Sequence, residues 1–482
     1  MKTSKHPIVQ SQASIRDALE VIDSFAKRIC YVLEDSKLVG VLTDGDVRRS
    51  LLNEASLDDC VDAVMNRDFV SFPIHTDSHI IRDRFSTRIR HIPLVNEKGE
   101  LVDVADPQGN FRIPILEPSL MGNELKYVTE CIETNWISSQ GKFVRSFETF
   151  FEKLHPNMHA LAVSNGTVAL HLALVAVGIK EGDEVIVPNV TFAASANAVI
   201  YCGAVPVLCE IDPNTWCIDP LEVEKLIGPK TKAIMPVHLY GQSCDMAALK
   251  TLADDHDLLL IEDCAEALGS KWKEKPVGTF GNASTFSFFG NKTITTGEGG
   301  MVLFSDSSVK EQAKVLRDHG MNPKRKYWHD QLGYNYRLTN LQAAVGVAQI
   351  ERLDQIISKK IEIAKAYGET LSKVEGIIKL PCVQKFGLHS NWLYTVVCDK
   401  RLDRGEIIKK LKEKGVETRP AFYPLSDMPA YENFPKSNSV QNSKSISYAG
   451  ISLPSSPNLS LEKIHHISEI IHNIFQDLDS NQ

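Results

Sequence analysis

The strongest constraint on the fold is an alternation. Between residues 184 and 305 six short apolar runs (Glu184 to Pro188, Val205 to Ile211, Lys232 to Tyr240, Leu258 to Asp263, Ser284 to Phe289 and Gly300 to Ser305) are separated mostly by gaps of helix length. Such runs suit strands buried on both faces, and helix-length crossovers join strands that run in the same direction. The expected architecture is α/β, a mainly parallel sheet with helices on both faces. A helix from Leu341 to Ile357 follows and opens with Thr339 and Gln342 in capping-box spacing. From residue 361 the pattern is helix-rich with scattered strands such as Trp392 to Cys398, which predicts a smaller C-terminal lobe.

Upstream the chain carries a repeat. CYVLEDSKLVGVLTDGD (Cys30 to Asp46) is echoed by IPLVNEKGELVDVADPQG (Ile92 to Gly109), with Leu38 and Leu101 aligned 63 residues apart. Each copy reads as a β-hairpin, and the polar helical stretches between them predict two βαβ-like units packed as one small domain. The turn-forming cluster Asp106-Pro107-Gln108-Gly109-Asn110 reads as a linker. A chain of 482 residues exceeds what one core supports. Three domains are expected, at 1–108, 113–360 and 361–482.

Charge and cysteine content narrow the partners. Lysines and arginines number 53 against 61 acids, for a net charge of −8, so the bulk field repels nucleic acid. The N-terminus has no apolar segment ending in a small-residue cleavage site, and the longest apolar stretch, Gly166 to Ile179, is interrupted by His171. It is too short to span a bilayer. A soluble, cytoplasmic chain is expected. The ten cysteines show no CxxC spacing, which reads as reduced thiols.

Three elements carry chemistry. Ala162-Val163-Ser164-Asn165-Gly166-Thr167 runs from a strand end into an apolar helix, whose free first-turn amides form a ready phosphate seat or simply a capped helix start. His171 within that helix reads as a core histidine. Asp263 in LLLIEDCAEALG stands where a buried strand ends. A carboxylate there needs a cation or donors, unless it only caps the next helix. Lys292, in STFSFFGNKTITTGEGGMV, lies between a strand and a glycine-rich turn, where partial desolvation favours the nucleophilic amine. A Walker loop is excluded, since Asn291 and Phe286 stand where it needs glycines, and GEGG leads into a strand rather than the helix of a dinucleotide fingerprint. Phosphate seat, acid and amine, in that order, suggest pyridoxal 5'-phosphate. Phe192, in the turn NVTFAASANA, would stack on its ring or else belong to the core.

The order SNGT, NVTFAASAN, IEDCAEALG, SFFGNKTITTGEGG, GYNYRLTNLQAA and ETRPAFYPLS resembles the DegT/StrS-type sugar aminotransferases, pyridoxal-phosphate enzymes of fold type I, from about Ile113 to the end. The resemblance implies that Lys292 carries the cofactor and shuttles the proton, and that Asp263 pairs with the ring nitrogen. Phe192 would stack on the ring, Glu266 would lie near the ring hydroxyl where relatives often carry glutamine, and Gly166, Thr167 and Ser287 would hold the phosphate. Asn335 would arrive from a neighbouring subunit, making a homodimer. It further implies a ping-pong amino transfer from L-glutamate to the C4 ketone of a nucleotide-linked 4-keto-6-deoxy sugar. FFGNKTITTGEGGM and YWHDQLGYNYRLTN together resemble members acting on GDP-4-keto-6-deoxymannose, with UDP-linked 4-keto sugars as the alternative, and such activity implies O-antigen lipopolysaccharide biosynthesis. Tyr327, Trp328 and His329 would face the sugar nucleotide or form a surface loop. Arg419 would hold a phosphate or the donor carboxylate, or make a surface ion pair. A dehydratase of the same fold would carry histidine in place of Lys292.

The N-terminal repeat resembles a pair of CBS domains. The resemblance implies an adenine-nucleotide site at Thr43 and Asp46 in the first copy. The second copy has Asp103, Asp106 and Gly109 where the first has Gly40, Thr43 and Asp46, so the ribose-binding pair is lost there and at most one site is expected; the alternatives are a structural or dimerising domain, or one that governs an inactive catalytic lobe. Arg48 and Arg49 could contact phosphates or form a solvated face. His465, His466 and His472, with Glu462 and Glu469, read as a surface helix rather than a metal site.

Overall fold

The computed structural model describes residues 6–25, 27–74, 76, 80–81, 83–86, 89–106, 113–382 and 387–480. Residues 107–110 of the expected linker, Gly109 included, lie outside the described residues. The chain divides into two compact units, Met1–Ile113 with Leu411–Val416, and Pro114–Lys410 with Glu417–Gln482. Leu411–Val416 joins the first unit because the Ile113 N–H donates to the Gly415 carbonyl at 2.8 Å.

The first unit is built twice from one plan. Strand β1 (Ile8–Gln10) pairs in parallel with β2 (Ile29–Glu34), which turns back onto antiparallel β3 (Lys37–Thr43). Likewise β4 (Phe72–Pro73) lies parallel to β5 (Ile92–Val95), and β5 is antiparallel to β6 (Leu101–Ala105). Both hairpins of the repeat are therefore present, and the register slips at corresponding places, between Val32 and Leu33 and between Leu94 and Val95. The first hairpin turns through Asp35 and Ser36, both at positive φ (47° and 69°), the conformation whose twist matches paired strands.

The second unit holds a seven-stranded sheet. Its strands are β7 (His159–Val163), β8 (Glu184–Pro188), β9 (Val205–Cys209), β10 (Thr231–Ile234), β11 (Leu259–Asp263), then, after the small hairpin β12 (Lys271–Trp272) and β13 (Lys275–Pro276), β14 (Ala283–Ser287) and β15 (Gly300–Phe304). The order is β7-β15-β14-β11-β10-β8-β9, and only β15 runs against its neighbours. The mainly parallel sheet of the sequence reading is thus observed, with β10 ending earlier than the apolar run to Tyr240 suggests. Along β7, Leu161 and Val163 enter one core while Ala160 and Ala162 enter another, so both faces are covered. A four-stranded antiparallel sheet follows, with strands β16 (Ile377–Lys379), β18 (Tyr394–Cys398), β19 (Arg419–Pro420) and β20 (Gly450–Leu453), while β17 (Gly387–Leu388) extends the small hairpin at β12.

One expected helix is two. The stretch from Leu341 to Ile357 divides into Asn340–Ile350 and Leu353–Leu371, and the first keeps the Thr339–Gln342 capping box. The break is tertiary. Glu351 accepts from Tyr127 Oη at 2.8 Å and Asn123 at 2.8 Å, while the Arg352 guanidinium donates to the Ser119 carbonyl at 3.0 Å. These anchors come from more than 200 residues upstream. Among the described residues no helix is long and apolar enough to cross a membrane.

Candidate active site

The carboxyl ends of β7, β11 and β14 meet around a cavity of about 570 Å³. Parallel sheets bind ligands at that edge, where strand ends leave amides and side chains unpaired. Gly166, Thr167, Phe192, Asp263, Glu266, Ser287, Lys292 and Arg419, read from separate stretches of sequence, all line it.

The phosphate end is a helix start. Asn165 caps Gly166–Ala176 by accepting from the Val168 N–H at 3.0 Å, and Gly166 and Thr167 of that first turn line the cavity together with Ser287. A Cβ on Gly166 would stand 2.7 Å from Ser287 Cβ, so only glycine lets the strand end close on the helix. Gly166→Ala is expected to raise the pyridoxal phosphate concentration that half-saturates the cofactor-free protein about tenfold, since overpacking of this kind costs about 1–3 kcal/mol. Spectrophotometric titration checks this.

The acid end is buried. Asp263 accepts from the Ser195 hydroxyl at 2.8 Å and the Ala265 N–H at 3.0 Å. Burial pushes its carboxyl above the ordinary carboxylate range, and these two donors oppose the shift. That is the position of an acid awaiting a buried cation such as a protonated ring nitrogen. The preceding residue, Glu262, faces the other way. It accepts from the backbone N–H groups of Gly278 (2.7 Å), Phe280 (2.8 Å) and Gly281 (2.9 Å), and pairs with His238 Nε2 at 3.2 Å. His238 Nδ1 accepts from the Cys244 N–H at 3.1 Å. With Cys264 these side chains cluster closely enough to hold a metal, but Glu262 and His238 are already engaged with each other and with backbone N–H groups.

Lys292 reaches the cavity from the turn after β14. Its Nζ lies 3.8 Å from Glu266 Oε1, and burial lowers its pKa while Glu266 and Asp263 pull it back up. Burial pushes Glu266 up to about 7 against the pull of Lys292 and of the Tyr240 N–H, which donates to it at 2.9 Å. A raised carboxyl pKa means that its stabilisation is complete below the unfolded value of 4.5 and disappears as pH climbs through about 7. Glu266→Gln removes that loss while the amide oxygen still accepts from Tyr240. Across this interval the variant is expected to gain about 3 kcal/mol relative to the wild type, read from urea melts of cofactor-free protein.

The remaining sequence candidates lie elsewhere. Asn335 accepts from Arg337 Nε at 3.1 Å, Tyr327 is 76% exposed, the Trp328 ring packs under Arg325 at 3.9 Å, and His329 Nδ1 meets the His319 carbonyl at 2.9 Å. None lines the cavity of its own chain. His171 is buried against Tyr334 and bonded to Tyr336 Oη at 3.1 Å, a core histidine. His465, His466 and His472 lie on the helix Leu461–Ser480, where His472 meets Gln476. Phe192 is exposed at the cavity mouth rather than in the core, and Arg419 makes no ion pair among the described residues. The sequence reading missed Ser195, directly after the second alanine of NVTFAASANA, and Trp392, read only as the start of a strand.

In the first unit, Thr43 and Asp46 form a reciprocal capping box on the helix Asp44–Leu52, with hydroxyl and carboxylate 2.6 Å apart, and Arg49 pairs with Asp46. Asp103, at the place of Gly40, is buried 3.1 Å from His6 Nε2.

The profile of the DegT/DnrJ/EryC1/StrS aminotransferase family matches residues 118–472, and that of the CBS domain matches 2–53 and 61–105. The chain belongs to this aminotransferase family. It is a pyridoxal-phosphate-dependent sugar aminotransferase carrying a CBS domain. GDP-perosamine synthase of Escherichia coli O157:H7 is 46% identical over 365 residues, which span 76% of this chain and 99% of that protein, and GDP-perosamine synthase of Vibrio cholerae matches at 46% over 75% and 99%. The putative pyridoxal phosphate-dependent aminotransferase EpsN of Bacillus subtilis is 35% identical over 76% of this chain and 97% of its own length. Among solved structures, Helicobacter pylori PseC, an aminotransferase involved in the biosynthesis of pseudoaminic acid, superposes with a TM-score of 0.72 at 29% identity, covering 76% of this chain and all of PseC.

Proposed function

We propose that this protein transfers the amino group of L-glutamate to the C4 ketone of GDP-4-keto-6-deoxymannose, forming GDP-perosamine. The observation that carries the reading is the 46% identity to GDP-perosamine synthases over nearly their whole length, joined to a cavity lined by every residue type the transfer needs. Residues 113–360 and 361–482 serve as large and small lobes and 1–108 as the CBS pair, in a cytoplasmic enzyme of O-antigen synthesis.

Pyridoxal phosphate, when bound, supplies an aldehyde for the nitrogen and a ring that accepts electrons. The rest falls to this chain. Gly166, Thr167 and Ser287 hold the phosphate, Asp263 keeps the ring nitrogen protonated, and Phe192 covers a ring face. Lys292 Nζ takes a proton from one carbon and returns it to another, and by protonating C4 from its own side fixes the configuration there. Arg419 at the cavity wall suits a donor carboxylate or a phosphate.

The second substrate half comes from a second copy in this reading. Tyr327, Trp328, His329 and Asn335 stand off their own cavity, and Leu125, Ile132 and Trp136 expose apolar surface that a homodimer would cover. Thr43 and Asp46 are the adenine-nucleotide candidates, but a ribose would have to replace the capping box between them. Calorimetry with adenine nucleotides, on wild type and Asp46→Ala, distinguishes a nucleotide site from a helix cap.

The direct test incubates enzyme, glutamate and each keto sugar separately and weighs the products by mass spectrometry. A single amino-for-oxo mass change confined to the GDP sugar is expected. Equal turnover of UDP sugars would remove the perosamine assignment.

A further inference from the structure

Lys292 has a neighbour that the transfer scheme leaves unused. The Trp392 ring lies under the amine, its centroid 4.0 Å from Nζ, and is 4% exposed. Its indole N–H donates to the carbonyl of Asn291, the residue immediately before the lysine, at 2.6 Å. One side chain therefore touches both the backbone that carries Lys292 and the atom that reacts.

The backbone that carries the ring is itself tied down. Lys360, 1% exposed, donates to the Trp392 carbonyl at 3.1 Å and the Ser455 carbonyl at 2.9 Å, and reaches that of Asn391 at 3.5 Å. Burial pushes its ammonium down to about 7. Tyr240 stacks on the indole at 6.3 Å and 19°, and its own N–H holds Glu266. Lys292 thus sits between an acid and an aromatic face whose positions are coupled through Tyr240.

We propose that Trp392 is the positioning residue of Lys292, its indole face the seat that the ε-ammonium occupies whenever the lysine is released from the cofactor. The inference rests on the aminotransferase reading, in which the released Nζ accepts a proton from one carbon and yields it to another, returning to the neutral amine. Between those events the nitrogen is a cation in a buried site. A ring quadrupole meets such a charge without competing for the proton, unlike a carboxylate. The charged or titratable groups lining the same cavity are Asp263 and Glu266 at the end of β11, Glu298 before β15, and Arg419 on β19. The indole centroid at 4.0 Å and Glu266 Oε1 at 3.8 Å both lie against the amine.

The test follows capture of pyridoxal phosphate by the cofactor-free protein as a function of pH, since only the neutral amine attacks the aldehyde. Trp392→Leu removes the face, destabilises the ammonium and is expected to move the midpoint of capture down by about one pH unit, while Trp392→Phe leaves it within about 0.3 unit. Turnover should fall about tenfold in the leucine variant with the KM for glutamate unchanged. Should leucine prevent folding, uniform incorporation of increasingly fluorinated tryptophan keeps shape and hydrogen bond while weakening the π face. The midpoint should then fall stepwise with fluorine content. A midpoint that stays put in Trp392→Leu or across the fluorinated series, with capture otherwise normal, overturns the inference. Failure of the wild type to capture the cofactor at any pH would instead overturn the reading beneath it.

Discussion

Lys292→Ala is expected to abolish the yellow absorption of the cofactor-loaded protein and to lower amino transfer by about 10⁴-fold or more, because one nitrogen supplies both the covalent attachment and the proton transfer. Arginine should not rescue it, since a guanidinium stays protonated and cannot attack an aldehyde. The fold should survive. Lys292 lies in a turn outside the strands, and its closest ionic neighbour, Glu266 at 3.8 Å, is pushed toward its neutral form when the ammonium is lost. Unaltered circular dichroism beside lost colour is the expected pair of measurements, and a yellow alanine variant would remove Lys292 from the chemistry altogether.

The second large effect is expected at Asp263. Asparagine keeps the shape, and its one amide oxygen can still accept from the Ala265 N–H at 3.0 Å, while its NH₂ group replaces the oxygen that accepts from Ser195 at 2.8 Å, so that hydroxyl must turn to accept instead. What it lacks is the charge that holds a proton on the ring nitrogen. Turnover should fall by about 10² to 10³-fold, the scale seen when a preorganised electrostatic partner is removed from a reacting centre. Cofactor retention should fall less, because the phosphate seat at Gly166 and the attachment at Lys292 are untouched. An Asp263→Asn variant that keeps wild-type turnover would show that this acid does not face the heterocycle.

Much of the sheet was legible because buried strands have to be apolar. Glu184–Pro188 was read to the residue, and the ends of β11 and β14 to within two. The acid and the lysine were legible for the converse reason, as charged groups placed where the chain otherwise excludes water. What stayed hidden was tertiary. Ser195 meets Asp263 from 68 residues away, and Trp392 meets Asn291 from 101. The division at residues 351–352 depends on contacts with the 119–127 segment, and no helical periodicity carries that information. Thr43 and Asp46 show the opposite difficulty. A threonine and an acid three residues apart spell a helix cap and a ribose hook equally well, and the structure shows them making the cap.

Glu262 and Asp263 are chemically near twins joined by one peptide bond, yet one ties down a loop and the other faces the cavity. Nothing but the pleat of a strand separates their duties. Deleting or inserting a single amino acid inside β11 would exchange them, aiming the wrong carboxylate at the ligand while cutting the mooring of residues 278–281. Drift in this gene should therefore tolerate length changes in the outer connections far more readily than in these five positions.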